Sequence, residues 1–204
     1  MARIESSLKN MVITLFVITL VAGLSLGLVQ HITKEPIAKA QQEKQIKAIS
    51  DVVPEFDNNP LENKERLAVD DDSLDVYIAT KDDEIVGYAI LSSTTSGFGG
   101  LVQIMVGFNP DGTIYNTAVV SHQETPGLGD QMTTEKFRGQ FKNFDLTQKK
   151  AIVKKDGGDV DAITAATISS RAFCSTIRKA YNAYAQLNNA TTNTDAQSGA
   201  TKHE

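Results

Sequence analysis

The chain has a single cysteine, Cys174, and no tryptophan among its 204 residues. One thiol excludes an internal disulfide, a thiolate zinc site and an iron–sulfur cluster held by this chain alone. The three histidines, His31, His122 and His203, are scattered and form no ligand-spaced cluster. No metal set and no catalytic residue stands out, so any redox chemistry must come from an organic cofactor or a partner. Aromatic residues make up only 6% and the net charge is -5. There is thus neither a base-stacking platform nor a basic surface, and nucleic acid is not expected as a partner. What is present, 41% hydrophobic and 22% charged residues, is ordinary for a folded protein with room for one domain and appendages.

Residues 11–29 read MVITLFVITLVAGLSLGLV, without a charge. At roughly 1.5 Å per residue such a helix nearly spans the ~30 Å hydrocarbon core of a bilayer. A cleaved signal peptide is the competing reading, because Ala38-Lys39-Ala40 has the small-x-small pattern. The apolar run is longer than a signal core and the candidate site lies well beyond it, which favours a retained anchor over residues 11–31. Arg3 and Lys9 precede the span, while Lys34, Lys39, Lys44 and Lys47 follow it. Charge alone therefore leaves the orientation open.

Past the span, Ile37, Ala40, Ile46 and Ile49 suggest a juxtamembrane helix, and Pro54, Pro60 and several Asn and Asp suggest a linker to residue 72. A domain is expected over 73–187. Strand patterns occupy 74–80 and 85–92 around the turn Lys81-Asp82-Asp83-Glu84, then 101–108 and 113–120 around Asn109-Pro110-Asp111-Gly112. Residues 133–143 look helical, with Phe137 and Phe141 four apart, and a short strand is expected at 151–153. Phe173, Ile177, Ala180, Tyr184 and Leu187 fall on one face of a helix over 165–187. The polar chain over 188–204 is expected to lack structure. The pattern predicts an α+β domain, with an antiparallel sheet and flanking helices, behind one transmembrane helix.

Three stretches could carry chemistry. Ser96-Gly97-Phe98-Gly99-Gly100 separates two strands; it is either a plain turn or a place where a ligand comes close to the backbone. His122-Gln123-Glu124-Thr125-Pro126-Gly127-Leu128-Gly129 is either loop punctuation or a loop whose Glu124 and Thr125 hydrogen-bond a ring. Asp161-Ala162-Ile163-Thr164-Ala165-Ala166-Thr167-Ile168-Ser169 reads as a strand running into a helix capped by Thr164. Free amides and the positive dipole end of that helix suit a phosphate, and Thr167 would lie about three residues inside it.

The Asp161-x-x-Thr164-x-Ala166-Thr167 pattern resembles the flavinylation motif D-x-x-[S/T]-G-A-T of FMN-binding domains. The three motifs in order, behind one anchor, resemble the G subunit of the Rnf (Rsx) electron transport complex. That resemblance implies FMN bonded through its phosphate to Thr167, attached by a flavin transferase that consumes FAD, with Asp161 assisting the transferase. It implies that Thr164 and the amides near Ala165 and Ala166 line the phosphate. Gly97, Gly99, Gly100, Glu124, Thr125, Gly127, Leu128 and Gly129 would border the ring. The family usually has glycine where this chain has Ala165, and a helical, negative-φ geometry is the expectation there.

The resemblance further implies an electron-carrying member of a complex that moves electrons between ferredoxin and NAD and couples them to Na⁺ or H⁺. Its partners would be the other subunits. It would sit in the bacterial cytoplasmic (inner) membrane, with residues 1–10 inside and the domain on the outer, periplasmic side. Two alternatives stand beside it: the C subunit of a Na⁺-translocating NADH:quinone reductase, which is similar in anchor and motif, and a flavin-free anchored scaffold.

Overall fold

The computed structural model describes residues 8–62, 64–69 and 72–199, with side chains described as far as 189. Two compact units are present, Met1–Lys44 and Gln45–Glu204. The first is the apolar part of one helix, α1 (Leu8–Val52), whose lipid-length stretch has no buried residue and is long and apolar enough to cross a membrane. Thr14, Thr19 and Thr33 return their hydroxyls to carbonyls three or four residues earlier, so they expose no free donor along the span. The helix runs through Pro36 without interruption, joining the expected span and juxtamembrane helix into one element.

The second unit is built on a five-stranded antiparallel meander in the order β1 (Lys64–Val69), β2 (Asp72–Lys81), β3 (Glu84–Thr94), β4 (Val102–Phe108), β5 (Ile114–His122). The α+β expectation holds. Asp82 and Asp83, with φ of 53° and 64°, make the two-residue β2–β3 hairpin, and Gly112 (φ 88°) closes the β4–β5 turn. Register sorts the side chains onto two faces. The row Val76–Ile90–Val106 packs under α3 (Thr167–Gly199), with Phe173, Ile177, Ala180, Tyr184 and Leu187 all buried as their spacing predicts. The neighbouring row Tyr77–Ala89–Gly107 faces the end of α1, where Ala48, Ile49 and Val52 form a second core with Val53, Ala79, Met105 and Ala118. A methyl group on Gly107 would overlap the Val52 carbonyl oxygen, so glycine sets that close approach.

Four sequence expectations change. The linker contains β1, an edge strand whose Lys64, Glu65 and Arg66 are exposed; charge on an edge hides the apolar alternation. The helix expected over 133–143 shrinks to α2 (Glu135–Arg138) between 3-10 turns at Gly129–Thr133 and Gly139–Phe141. Gly139 ends the regular turn and Asn143 (φ 54°) reverses the chain, yet Phe137 and Phe141 still meet Phe173 at 5.1 and 5.0 Å between centroids. The strand at 151–153 is a single bridge from Val153 to Val160. Beyond Asn188 the backbone continues α3 to Gly199 instead of losing structure; residues 200–204 lie outside the described residues.

Candidate functional site

The three motif stretches converge at the N-terminal end of α3. Between β3 and β4, Gly97 and Gly100 exchange backbone hydrogen bonds of 3.2 Å. After β5, the Leu128 amide donates to the Thr125 carbonyl at 3.2 Å across Pro126-Gly127, with Gly127 at φ 78°. This is the turn that a Pro-Gly pair favours. The third stretch turns at Ile163–Ala166, where the Ala166 amide donates to the Ile163 carbonyl at 3.1 Å, and α3 then begins at Thr167.

Glu124 ties the three together. Only 5% exposed, it accepts the Ser169 hydroxyl hydrogen on Oε2 at 2.7 Å and faces the Gly99 amide with Oε1 at 3.4 Å. A methyl on Gly97 or Gly129 would collide with this carboxylate, and one on Gly99 with the Gln123 carbonyl oxygen. The glycines therefore let the loops close around a buried acid. A buried carboxylate held by hydrogen bonds is costly to disturb, which makes it a rigid pin.

Above this pin lies a cavity of about 310 Å³ lined by Phe98, Glu124, Thr125, Leu128 and Gly129 on one side and residues 165–169 on the other. Phe98, Leu128 and Ile168 stand 70%, 43% and 47% exposed around it and form an apolar rim. The amides of Thr167, Ile168 and Ser169 open α3 and have no intrahelical acceptor. A half-buried hydroxyl, Thr167, thus sits beside free donors and an apolar wall.

Seven of the residues singled out from the sequence line this cavity: Glu124, Thr125, Leu128, Gly129, Ala165, Ala166 and Thr167. Gly97, Gly99, Gly100 and Gly127 shape its loops. Asp161 and Thr164 do not join them. They line a neighbouring cavity of about 350 Å³ with Gln131, Lys136 and Gln140. The Asp161 carboxylate there pairs with Lys154 Nζ at 2.8 Å, and its backbone is clamped by the Gln140 amide.

Three details of the motif differ from expectation. Thr164 is not the helix cap, because the helix starts three residues later; Ser170, inside the helix, instead ties the preceding turn down, accepting the Ile163 amide at 2.9 Å and donating to the Ala166 carbonyl at 3.0 Å. Thr167 is the first helical residue, not the third. Ala165 takes φ 60°, a left-handed conformation, in place of the expected negative φ. Sequence reasoning misses Phe98, Ser169 and Ser170 as site residues; only the glycines around Phe98 and the serine pair after Thr167 hint at them. A larger cavity, about 550 Å³ and lined by Asp72, Ser93, Arg178, Lys179 and others, shares no residue with this site. Its Lys179 is engaged by Asp72, whose carboxyl that bond holds below the usual range. Among the described residues no group of His, Cys, Asp and Glu could hold a metal.

The family model described as FMN-binding domain matches residues 97–182, the stretch that holds all three motif loops and the first half of α3. Relatives extend the likeness across the chain. The G subunit of the Na⁺-translocating ferredoxin:NAD⁺ oxidoreductase complex of Acetobacterium woodii is 30% identical, over 85% of this chain and 89% of its own length. The G subunit of the ion-translocating oxidoreductase complex of Methanosarcina acetivorans is 35% identical, over 86% and 94%. The chain belongs to the family of G subunits of ion-translocating oxidoreductase complexes. The crystal structure of Shewanella oneidensis NqrC aligns over 65% of this chain and 63% of that one, at 21% identity and a TM-score of 0.42.

Proposed function

We propose that this chain carries FMN bonded through its phosphate to Thr167 and relays electrons within an ion-translocating ferredoxin:NAD oxidoreductase complex. The observation that carries this reading is the coincidence of three features in one cavity: a hydroxyl at the first position of α3, open helix amides, and the exposed apolar rim of Phe98, Leu128 and Ile168. The dipole end and amides suit the anionic oxygens of a phosphodiester. The rim suits a flat aromatic ring, and the glycines let the loops that carry it close on Glu124 where a Cβ would hold them apart. The residues present therefore fit FMN, which when bound supplies the capacity to accept and release electrons.

Thr167 Oγ would bond to the FMN phosphorus of FAD in the reaction of a flavin transferase. The pyrophosphate P–O bond breaks, AMP leaves, and the hydroxyl proton passes to solvent. Asp161 and Thr164, turned into the neighbouring cavity, are then placed for contact with the transferase rather than with the flavin. Glu124 holds the loops, and Thr125, exposed at the cavity edge, remains the group for the ring's polar edge.

We read residues 1–10 as the cytoplasmic tail, 11–31 as the span in the inner membrane, and the domain as lying on the periplasmic side with the other subunits of the complex. Thr167→Val tests the attachment, since it keeps the size of the side chain and removes the nucleophile. In-gel flavin fluorescence after denaturation should vanish in this variant and persist in Thr164→Val. Fluorescence that survives in Thr167→Val places the bond elsewhere.

A further inference from the structure

Four non-glycine residues have positive φ among the described residues: Asp82, Asp83, Asn143 and Ala165. Asp and Asn adopt left-handed geometry with modest strain, because their short polar side chains bond locally. Alanine has no such compensation, and its Cβ crowds the following carbonyl. Ala165 is thus the strained member of the set, at φ 60°.

Its place in the chain gives that strain a consequence. The Ala166 amide to Ile163 carbonyl bond of 3.1 Å closes a four-residue turn in which Ala165 is the third residue, the position that calls for positive φ. Were residue 165 helical, α3 would run back through it, as the side-chain spacing alone predicts. The amides of Thr167, Ile168 and Ser169 would then meet the carbonyls of Ile163, Thr164 and Ala165, four residues earlier in each case. No free donor would remain beside Thr167. The left-handed residue stops the helix short of that. It leaves Thr167 at the first helical position and separates its cavity from the one holding Asp161 and Thr164.

We infer that residue 165 is a positioning residue for flavin attachment: its left-handed backbone sets where α3 begins and so keeps the Thr167 hydroxyl and the first helix amides available to a phosphoryl group. This rests on the reading of Thr167 as the attachment point. Alanine is a strained occupant of the position, and its preference order follows left-handed tolerance, Gly above Asn above Ala above Val. Helix propensity would give another order, with Ala first and Gly last.

The test uses the full chain in detergent, free of flavin, as wild type and as Ala165→Gly, Ala165→Asn and Ala165→Val. Thermal unfolding is followed by circular dichroism, and covalent FMN is then followed with purified flavin transferase and FAD. Ala165→Gly should raise the unfolding midpoint by roughly 2–4 °C. It should also take up FMN at least as fast as wild type. Ala165→Asn should lie between Gly and Ala on both measures. Ala165→Val should take up FMN about tenfold more slowly, because a β-branched residue resists positive φ. If Val fails to fold, the order of Gly, Asn and Ala decides. A midpoint for Ala at or above Gly, or unchanged uptake in a folded Val variant, overturns the inference. If no variant, wild type included, takes up FMN, the attachment reading fails instead, and the unfolding order still judges the role of residue 165.

Discussion

Removing the Ser169 hydroxyl should loosen all three loops at once. Ser169 is 1% exposed, and its hydroxyl gives Glu124 the better of its two hydrogen bonds, 2.7 Å against 3.4 Å from Gly99. A hydrogen bond to a charged group contributes about 1.5–3 kcal/mol, and a buried acceptor left without its donor also keeps its desolvation cost. Alanine leaves almost no void, so packing adds little. Glu124 borders the cavity, and water entering there recovers part of the loss, so Ser169→Ala is expected to cost about 2 kcal/mol. For a domain of this size that lowers the unfolding midpoint by about 4–8 °C. Thermal denaturation of the flavin-free chain measures it. A double-mutant cycle with Glu124→Ala isolates the pair, with a coupling of about 1–2 kcal/mol expected. A midpoint within about a degree of wild type, together with zero coupling, would refute the idea that Glu124 pins the loops.

Thr164→Ala should change stability by less than about 0.5 kcal/mol, whereas Ser170→Ala should cost about 1–3 kcal/mol by stranding the Ile163 amide; urea titration compares the two. Gly107→Ala should free the end of α1 from the sheet, because the new methyl meets the Val52 backbone. Faster hydrogen exchange over 45–53 reports it, and unchanged exchange would argue against the close approach. Cys174 should resist alkylation at pH 8 until the protein unfolds, since burial pushes its thiol up to about 12 and leaves almost no thiolate. Rapid labelling of the native chain would contradict that burial.

Periodicity makes the regular parts of the fold legible. The α3 face from Phe173 to Leu187 and the turns at Asp82-Asp83 and Asn109–Gly112 are readable because core packing and turn chemistry act on nearby residues. Edge strand β1 is not, since only Val69 is buried in it and its charges answer to solvent. In the site, the three motifs can be read one by one, but their meeting cannot. The contact between Glu124 and Ser169 spans 45 positions and leaves no local pattern. The start of α3 departs from its sequence reading for a related reason. Ala165 and Ala166 favour helix by propensity, and only the Ile163–Ser170 bond and the turn it stabilises override them.

The most direct measurement is mass spectrometry of the tryptic peptide Asp156–Arg171 from chain isolated with its native complex. This peptide holds Thr164, Thr167, Ser169 and Ser170, so fragmentation discriminates among the four hydroxyls around the start of α3. The account predicts that the peptide carries one FMN phosphoester and that the fragment ions place it on Thr167. An unmodified peptide from the assembled, active complex, or a flavin on any of the other three residues, would contradict it.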